Sequence, residues 1–170
     1  MPKFITLYVK YVDYASTKVG RLAMYLIFLM IGTLLLSSIS RNILHIPLSW
    51  TVELAQFILP AYYLLGGAYS MQLGDHVRMD LFYDHLSEIN KARMDVVTSF
   101  CLLFYLVTLL YGSISSLEYA IEYDQRKFSQ WNPSMIPIKI IMVFGIVLML
   151  LQSVSMFFKD LAKARGKAIP

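Results

Sequence analysis

The sequence has a single cysteine, Cys101, among its 170 residues. One thiol excludes a disulfide framework, a thiol-pair redox site and a cysteine-based zinc site within this chain. Charged residues are also scarce, at 15% compared with about 25% in soluble domains. Hydrophobic residues make up 58% of the chain and the mean hydropathy is +0.59, which excludes an ordinary water-soluble domain and a disordered chain.

Motifs for catalysis and cofactor binding are missing as well. The sequence contains no P-loop, no zinc motif and no serine-nucleophile motif. Its histidines, His45, His76 and His85, all lie outside the long apolar runs, so no facing pair within those runs could hold a haem. The sequence therefore predicts a protein that is not an enzyme and that holds neither a cofactor nor a metal ion.

The apolar residues are concentrated in four runs without Asp, Glu, Lys, Arg or His. Each run has 19 to 22 residues, and a bilayer core of about 30 Å needs about 20 helical residues. Because backbone polar groups cannot stay unpaired in hydrocarbon, each run is predicted to be helical. The sequence thus predicts an all-α integral membrane protein with one membrane domain over residues 1–170. Its four predicted transmembrane helices cover residues 22–40, 54–74, 96–117 and 140–158.

Lysine and arginine are distributed unequally around these spans. Eleven of the fifteen lie before the first span, between the second and third spans, or after the last span. The positive-inside rule then places both termini in the cytoplasm and the loops 41–53 and 118–139 outside. The net charge of +4 is explained by this placement beside the membrane, so nucleic acid is not an expected partner.

Two further stretches have an amphipathic pattern. Residues 1–19 and 80–92 carry apolar side chains at helical spacing, with charged side chains mostly on the other face. We predict an interfacial arm over 1–19 and a cytoplasmic surface helix over 80–92, because this pattern is typical of helices in the headgroup plane. The alternative is that both stretches extend the adjoining spans. The apolar face of the arm is predicted to comprise Phe4, Leu7, Tyr8, Tyr11, Ala15 and Val19.

The spans offer little to which a solute could bind. Transporters usually place charged groups or broken helices near the bilayer midplane. Here the strongest polar groups, Gln56, Gln72 and Gln152, lie toward the ends of the runs. Small residues recur four apart, a spacing that lets another helix approach closely, either within the chain or from a partner. The two strips are Gly66, Ser70 and Gly74 in the second span and Thr108, Gly112 and Ser116 in the third.

Three segments carry a family resemblance. The second span opens with Trp-Thr-Val-Glu-Leu-Ala at 50–55 and closes with Gly-Gly-Ala-Tyr-Ser-Met-Gln-Leu-Gly-Asp-His-Val-Arg-Met-Asp at 66–80. Asn-Pro-Ser-Met-Ile-Pro at 132–137 precedes the last span. With the four-span layout, these segments resemble the DctQ-type small membrane subunit of TRAP transporters, the tripartite ATP-independent periplasmic carriers. The sequence departs from that pattern at Gln56, where family members often carry a basic residue.

The resemblance implies a non-catalytic small permease subunit in the bacterial inner membrane. In TRAP systems a periplasmic receptor captures an organic acid, such as sialic acid or a C4-dicarboxylate. A large membrane subunit then moves the acid, driven by a sodium gradient. The small subunit is implied to brace the large subunit and to help dock the receptor, with membrane lipids as its other partner. Two alternatives stay open, a self-sufficient homo-oligomeric small transporter or channel and a membrane redox subunit.

Two groups of residues are candidates for contacts with these partners. Three parts of these groups have simpler alternatives. They are a headgroup-level carboxylate at Glu53, a structural turn or a solvated loop with lipid-phosphate contacts from Arg78 at residues 76–80, and a solvated connector in the loop after the third span. The candidate interface with the large subunit comprises Trp50, Glu53, Gly66, Ser70, Gly74, His76, Arg78 and Asp80. The candidate receptor-docking group comprises Glu118, Glu122, Asp124, Arg126 and Lys127.

Overall fold

Four long helices make up nearly all of the described chain. The structure, a computed structural model, describes residues 3–43, 45–46, 48–73 and 88–164. The only extended pairing among these residues is an isolated antiparallel bridge between Arg126 and Ser134. The all-helical prediction is therefore confirmed for the described residues. The helices are α1 (Lys3–Asn42), α2 (Ser49–Leu73), α3 (Glu88–Glu122) and α4 (Ile136–Ala164).

The first helix decides between the two alternatives for the N-terminal stretch. α1 is unbroken over 40 residues, a length of about 60 Å at 1.5 Å per residue. Residues 3–19 are thus the beginning of α1 and not a separate helix. The predicted surface helix over 80–92 lies mostly outside the described residues, and its last residues, from Glu88, begin α3.

The face of α1 that contacts other helices differs from the predicted apolar face. Leu7 and Tyr11 are exposed, whereas the buried side chains lie one or two positions further along the helix. The predicted apolar face was assigned to the headgroup plane and not to helix packing, and its contact with lipid stays a prediction. The buried residues in this half of α1 are Val9, Val12, Ser16, Gly20 and Ala23.

Three stretches of the described helices are long and apolar enough to cross a membrane. They are Ile5–Asn42, Val97–Glu122 and Ile136–Ala162. α2 has a sufficient length of 25 residues, but its composition is less apolar because it contains Gln56 and Pro60 as well as several tyrosines and glycines. Three of the four predicted spans are thus supported by length and composition, and α2 as a fourth span stays a prediction.

α2 has neighbours on two sides. It packs against both α1 and α4, whereas α3 packs mainly on α4. The residues of α2 that these neighbours bury are Thr51, Glu53, Ala55, Ile58, Ala61, Leu65, Ala68 and Met71.

Close approach of the helices depends on glycines outside the predicted strips. A Cβ added to Gly145 of α4 would lie 2.8 Å from Leu64 Cβ of α2. A Cβ added to Gly20 of α1 would lie 2.4 Å from Tyr69 Cβ. These distances are too short for a methyl group, so the two glycines allow α1 and α4 to pack tightly on α2.

The helix ends separate the polar parts of the molecule into two groups. At the end that we call the loop end, Ser49 Oγ donates to Gln130 Oε1 at 2.9 Å and joins the start of α2 to the α3–α4 loop, residues 123–135. The described termini of the chain lie at the opposite end, which we call the termini end. Loops 41–53 and 118–139 therefore share one end, as predicted, while their orientation in the membrane stays a prediction.

Candidate functional site

The termini end contains a polar cluster between α1 and α4. Lys159 Nζ lies 2.6 Å from Asp13 Oδ2, and Gln152 Nε2 donates to Asp13 Oδ1 at 2.9 Å. Ser16 Oγ donates to Gln152 Oε1 at 2.7 Å, and Ser155 Oγ lies 3.5 Å from Asp13 Oδ1. We refer to these five residues as the Asp13 cluster. It fixes the first half of α1 against the second half of α4 through contacts separated by more than a hundred residues of sequence.

The members of the Asp13 cluster differ in burial. Ser16, Gln152 and Ser155 are fully buried, whereas the side chains of Asp13 and Lys159 retain 21% and 25% of their exposure. The charges thus keep some solvation while the neutral groups supply hydrogen bonds from inside, an arrangement that limits the desolvation cost of the ion pair. The cluster therefore ties α1 to α4, and each of its five side chains has a partner within it.

The loop end is held by a second set of polar contacts. Glu53 is buried in α2 and its Oε2 accepts a hydrogen bond of 2.7 Å from Ser129 Oγ. Lys127 Nζ donates to Gln56 Oε1, one turn further along α2. We refer to Glu53, Gln56, Lys127 and Ser129 as the loop clamp. The loop clamp thus places Lys127 of the α3–α4 loop beside Gln56 of α2.

Contacts within the α3–α4 loop give it a defined shape. Lys139 Nζ donates to Ser116 O at 2.9 Å and to Gln125 Oε1 at 2.6 Å, so it ties the start of α4 to the end of α3. Asp124 and Asn132 have positive φ values of 39° and 48°, which residues of these types tolerate better than most. The loop is thus a folded connector.

The predicted receptor-docking residues divide into two groups. Arg126 Nη2 pairs with Asp124 Oδ2 at 3.0 Å, and Lys127 belongs to the loop clamp, so these three charges have partners within the chain. Glu118 and Glu122 are exposed on consecutive turns of α3. Within this group, Glu118 and Glu122 are therefore the exposed charged residues without a salt bridge to a described residue.

The described members of the predicted interface with the large subunit lie at two levels of α2. Glu53 is buried at the loop end, Trp50 is 40% exposed beside it, and Gly66 and Ser70 lie several turns further along α2. The remaining members lie outside the described residues. They are Gly74, His76, Arg78 and Asp80.

The small-residue strip of α3 borders an open groove. The groove has a volume of about 430 Å³ and lies between α2, α3 and α4. A Cβ at Gly112 would meet no atom within 4 Å, and the same holds for Gly66 on α2. These two glycines are thus not used for packing within the described chain. The groove is lined by Leu64, Tyr105, Thr108, Leu109, Gly112, Ser113, Met142 and Ile146.

The groove has the character of a packing surface for apolar groups. None of its lining residues carries a formal charge, and its polar groups are the hydroxyls of Tyr105, Thr108 and Ser113. Thr108 and Ser113 donate to carbonyl oxygens of their own helix, Phe104 O and Leu110 O, at 2.9 Å each. Two of its three hydroxyls are therefore already engaged, and the groove offers little to an organic anion. Among the described residues, no three His, Cys, Asp or Glu side chains come together as a metal site.

Comparison with known protein families relates the chain to a component of a membrane transport system. The family model of the tripartite ATP-independent periplasmic transporters, DctQ component, matches residues 30–163. The chain belongs to the DctQ family. This membership confirms the resemblance found in the sequence and makes the chain a small component of a TRAP transporter. Among individual curated proteins, a search finds no match.

The contacts that organise this DctQ-family chain were largely absent from the sequence prediction. Asp13 was assigned to the polar face of an interfacial arm, whereas the structure places it against Gln152 and Lys159. Ser129 was not singled out at all. A signal did exist for the Asp13 cluster: Asp13 is the single acidic residue before Glu53, and Gln152 is the single amide side chain in the apolar run 140–158. Such isolated polar residues near a span usually find a partner.

Proposed function

We propose that the chain is the non-catalytic small permease subunit that braces the large membrane subunit of a TRAP transporter. The proposal rests on the open groove, because an apolar groove lined by Thr108 and Gly112 allows another transmembrane helix to approach closely. The described polar clusters serve contacts within the chain. Transport of an organic acid, such as sialic acid or a C4-dicarboxylate, and its coupling to sodium are then properties of the large subunit.

We further propose that the loop end faces the periplasm and helps to dock the receptor. Glu118 and Glu122 are exposed at the end of α3 and border a loop whose shape is fixed by the loop clamp. A loop of fixed shape with charged residues at its edge would raise the rate at which a soluble partner associates more than it raises the affinity. In this proposal the chain resides in the bacterial inner membrane with both termini in the cytoplasm, as the distribution of lysine and arginine indicates.

The groove is tested by filling it. We expect Gly112→Leu to lower, several-fold, the amount of large subunit that copurifies with the tagged chain, since the new side chain occupies the space for a partner helix. Gly32→Leu is the matched control, because Gly32 is also exposed with open space around its Cβ but does not line the groove. Equal recovery in both variants would contradict the assignment of the groove.

The proposed role is also tested without the partner. The purified chain alone, reconstituted in liposomes, is expected not to accumulate organic acids under a sodium gradient. Uptake by the chain alone would contradict the role of a bracing subunit and support the homo-oligomeric transporter.

A further inference from the structure

The exposed side of α1 near the termini end carries three basic side chains that form no ion pair with a described residue. Lys10, Lys18 and Arg21 are exposed, and so are Tyr14 and Tyr25, at 63% and 72%. At 100° per residue, these five positions fall within one narrow side of the helix. We refer to Lys10, Tyr14, Lys18, Arg21 and Tyr25 as the cationic face. It points away from the neighbouring helices, which contact the side of α1 that contains Val12 and Ser16.

The charges of the cationic face are not compensated within the described chain. The single acidic residue of α1 is Asp13, and Lys159 of α4 already neutralises it at 2.6 Å. Lys18 Nζ lies 5.6 Å from the centre of the Tyr14 ring, a cation–π contact that leaves its ammonium hydrogens free for an anion. Arg21 has no ion pair or hydrogen bond to a described residue. Among the described residues, none therefore neutralises the three cations of this face.

The position of the cationic face along α1 is given by its neighbours in α2. Gly20 packs on Tyr69, and Thr17 Oγ1 donates to Gln72 Oε1 at 3.1 Å. Tyr69 and Gln72 lie near the end of the uncharged run 54–74. Arg21 therefore lies beside the uncharged run of α2, whereas Lys10 lies beyond the end of that run. With the predicted spans 22–40 and 54–74 placed in hydrocarbon, the cationic face crosses the boundary between headgroups and hydrocarbon.

The order of side chains along this face matches the order of groups in a phospholipid. Long basic side chains on a helix lean toward its N-terminus, which here is the termini end, so Lys18 and Arg21 can reach headgroup level while their stems stay in hydrocarbon. Tyrosine is enriched at the same level. Further along α1, exposed apolar residues such as Leu22 and Phe28 continue the surface into the hydrocarbon region.

We propose that the cationic face binds the phosphate group of an anionic phospholipid. Lys18 and Arg21 hold the phosphate, Lys10 adds long-range attraction, and the acyl chains lie along Leu22 and Phe28. The occupant is a lipid because charge complementarity is combined with an apolar continuation for acyl chains, which an acidic protein loop would not need. The inference requires α1 to cross a membrane and is independent of the role in TRAP transport.

The test compares lipid selectivity in variants of the full chain. The chain, with whatever subunits it retains, is placed in nanodiscs of phosphatidylcholine containing one fifth phosphatidylglycerol, and the lipids retained after extraction are counted by native mass spectrometry. A basic side chain near an anionic surface contributes roughly a factor of five. We therefore expect Lys18→Gln/Arg21→Gln to reduce the selectivity for phosphatidylglycerol by roughly twenty-five-fold.

A control variant removes positive charge at the other end of the same helix. Arg41→Gln neutralises an exposed cation of α1 at the loop end and is expected to keep the selectivity of the unmodified chain. Arg21→Lys, which preserves the charge, is expected to keep most of it. If the Lys18/Arg21 variant selects phosphatidylglycerol as strongly as the unmodified chain, the proposal is wrong. The same conclusion follows if that variant instead loses a copurifying protein while its lipid selectivity is unchanged.

Discussion

Lys159 Nζ lies 2.6 Å from Asp13 Oδ2 and joins the C-terminal part of α4 to the N-terminal part of α1. α1 also packs on α2, which in turn packs on α4. The ion pair therefore closes a three-helix arrangement at the termini end. Because both charges are only about one-quarter exposed, loss of either one leaves its partner poorly compensated.

We predict that Asp13→Asn and Lys159→Met each destabilise the chain by about 1–2 kcal/mol, less than for a fully buried pair because some exposure remains. The double variant should lose less than the sum of the two single variants, since each removes the same contact. Unfolding in detergent, followed by circular dichroism, measures the three changes. Additive effects would show that the two charges do not interact.

The loop clamp predicts a local effect at the other end. Ser129→Ala removes the hydrogen bond to the buried Glu53 carboxylate, and a hydrogen bond to a charged group contributes about 1.5–3 kcal/mol. We expect faster hydrogen exchange of the backbone in residues 123–135, with little change in α1. Ser115→Ala serves as control because Ser115 is exposed on α3 and outside the clamp. The same exchange rate in both variants would contradict the clamp.

Substitution by alanine should affect the stability of the chain differently at two glycines of the apolar helices. Gly145→Ala places a methyl group 2.8 Å from Leu64 Cβ, so we expect a loss of about 1–3 kcal/mol from overpacking. Gly112→Ala meets open space, and the better helix propensity of alanine should leave stability unchanged or raise it by up to about 1 kcal/mol. Thermal unfolding of both variants in one detergent measures the two changes in stability. If Gly145→Ala is as stable as Gly112→Ala, the prediction is wrong.

The proposed docking role predicts a salt-dependent change in uptake. We expect Glu118→Gln/Glu122→Gln to raise, several-fold, the receptor concentration that gives half-maximal uptake by the reconstituted transporter at low salt. The difference should shrink at high salt, where surface charges are screened. Asp124→Asn is the control, since Asp124 is already paired with Arg126. If the double variant and the unmodified chain need the same receptor concentration for half-maximal uptake at low salt, these carboxylates are not part of the docking surface.

The sequence was most informative about which parts of the chain are helical and apolar. Runs bracketed by charges, such as 22–40 and 140–158, lie within α1 and α4 and within stretches fit to cross a membrane. This works because the transfer of a segment into hydrocarbon depends mainly on its own composition and length. The segments at 50–55 and 132–137 likewise pointed to the DctQ family, which the match over residues 30–163 confirms.

The contacts between helices were not available from the same patterns. Asp13 and Lys159 are separated by almost the whole chain, and no local spacing relates Glu53 to Ser129. The same limit applies to the glycines: Gly145 packs against Leu64 while Gly112 borders an open groove, although both lie in apolar helices. A sequence prescribes local conformation through short-range sterics and hydropathy, but the rotation and register of each helix are set by how all of them pack together. Composition therefore determined that this is a helical membrane protein, and only the tertiary structure decided which faces are used within the chain and which remain open to lipid or a partner.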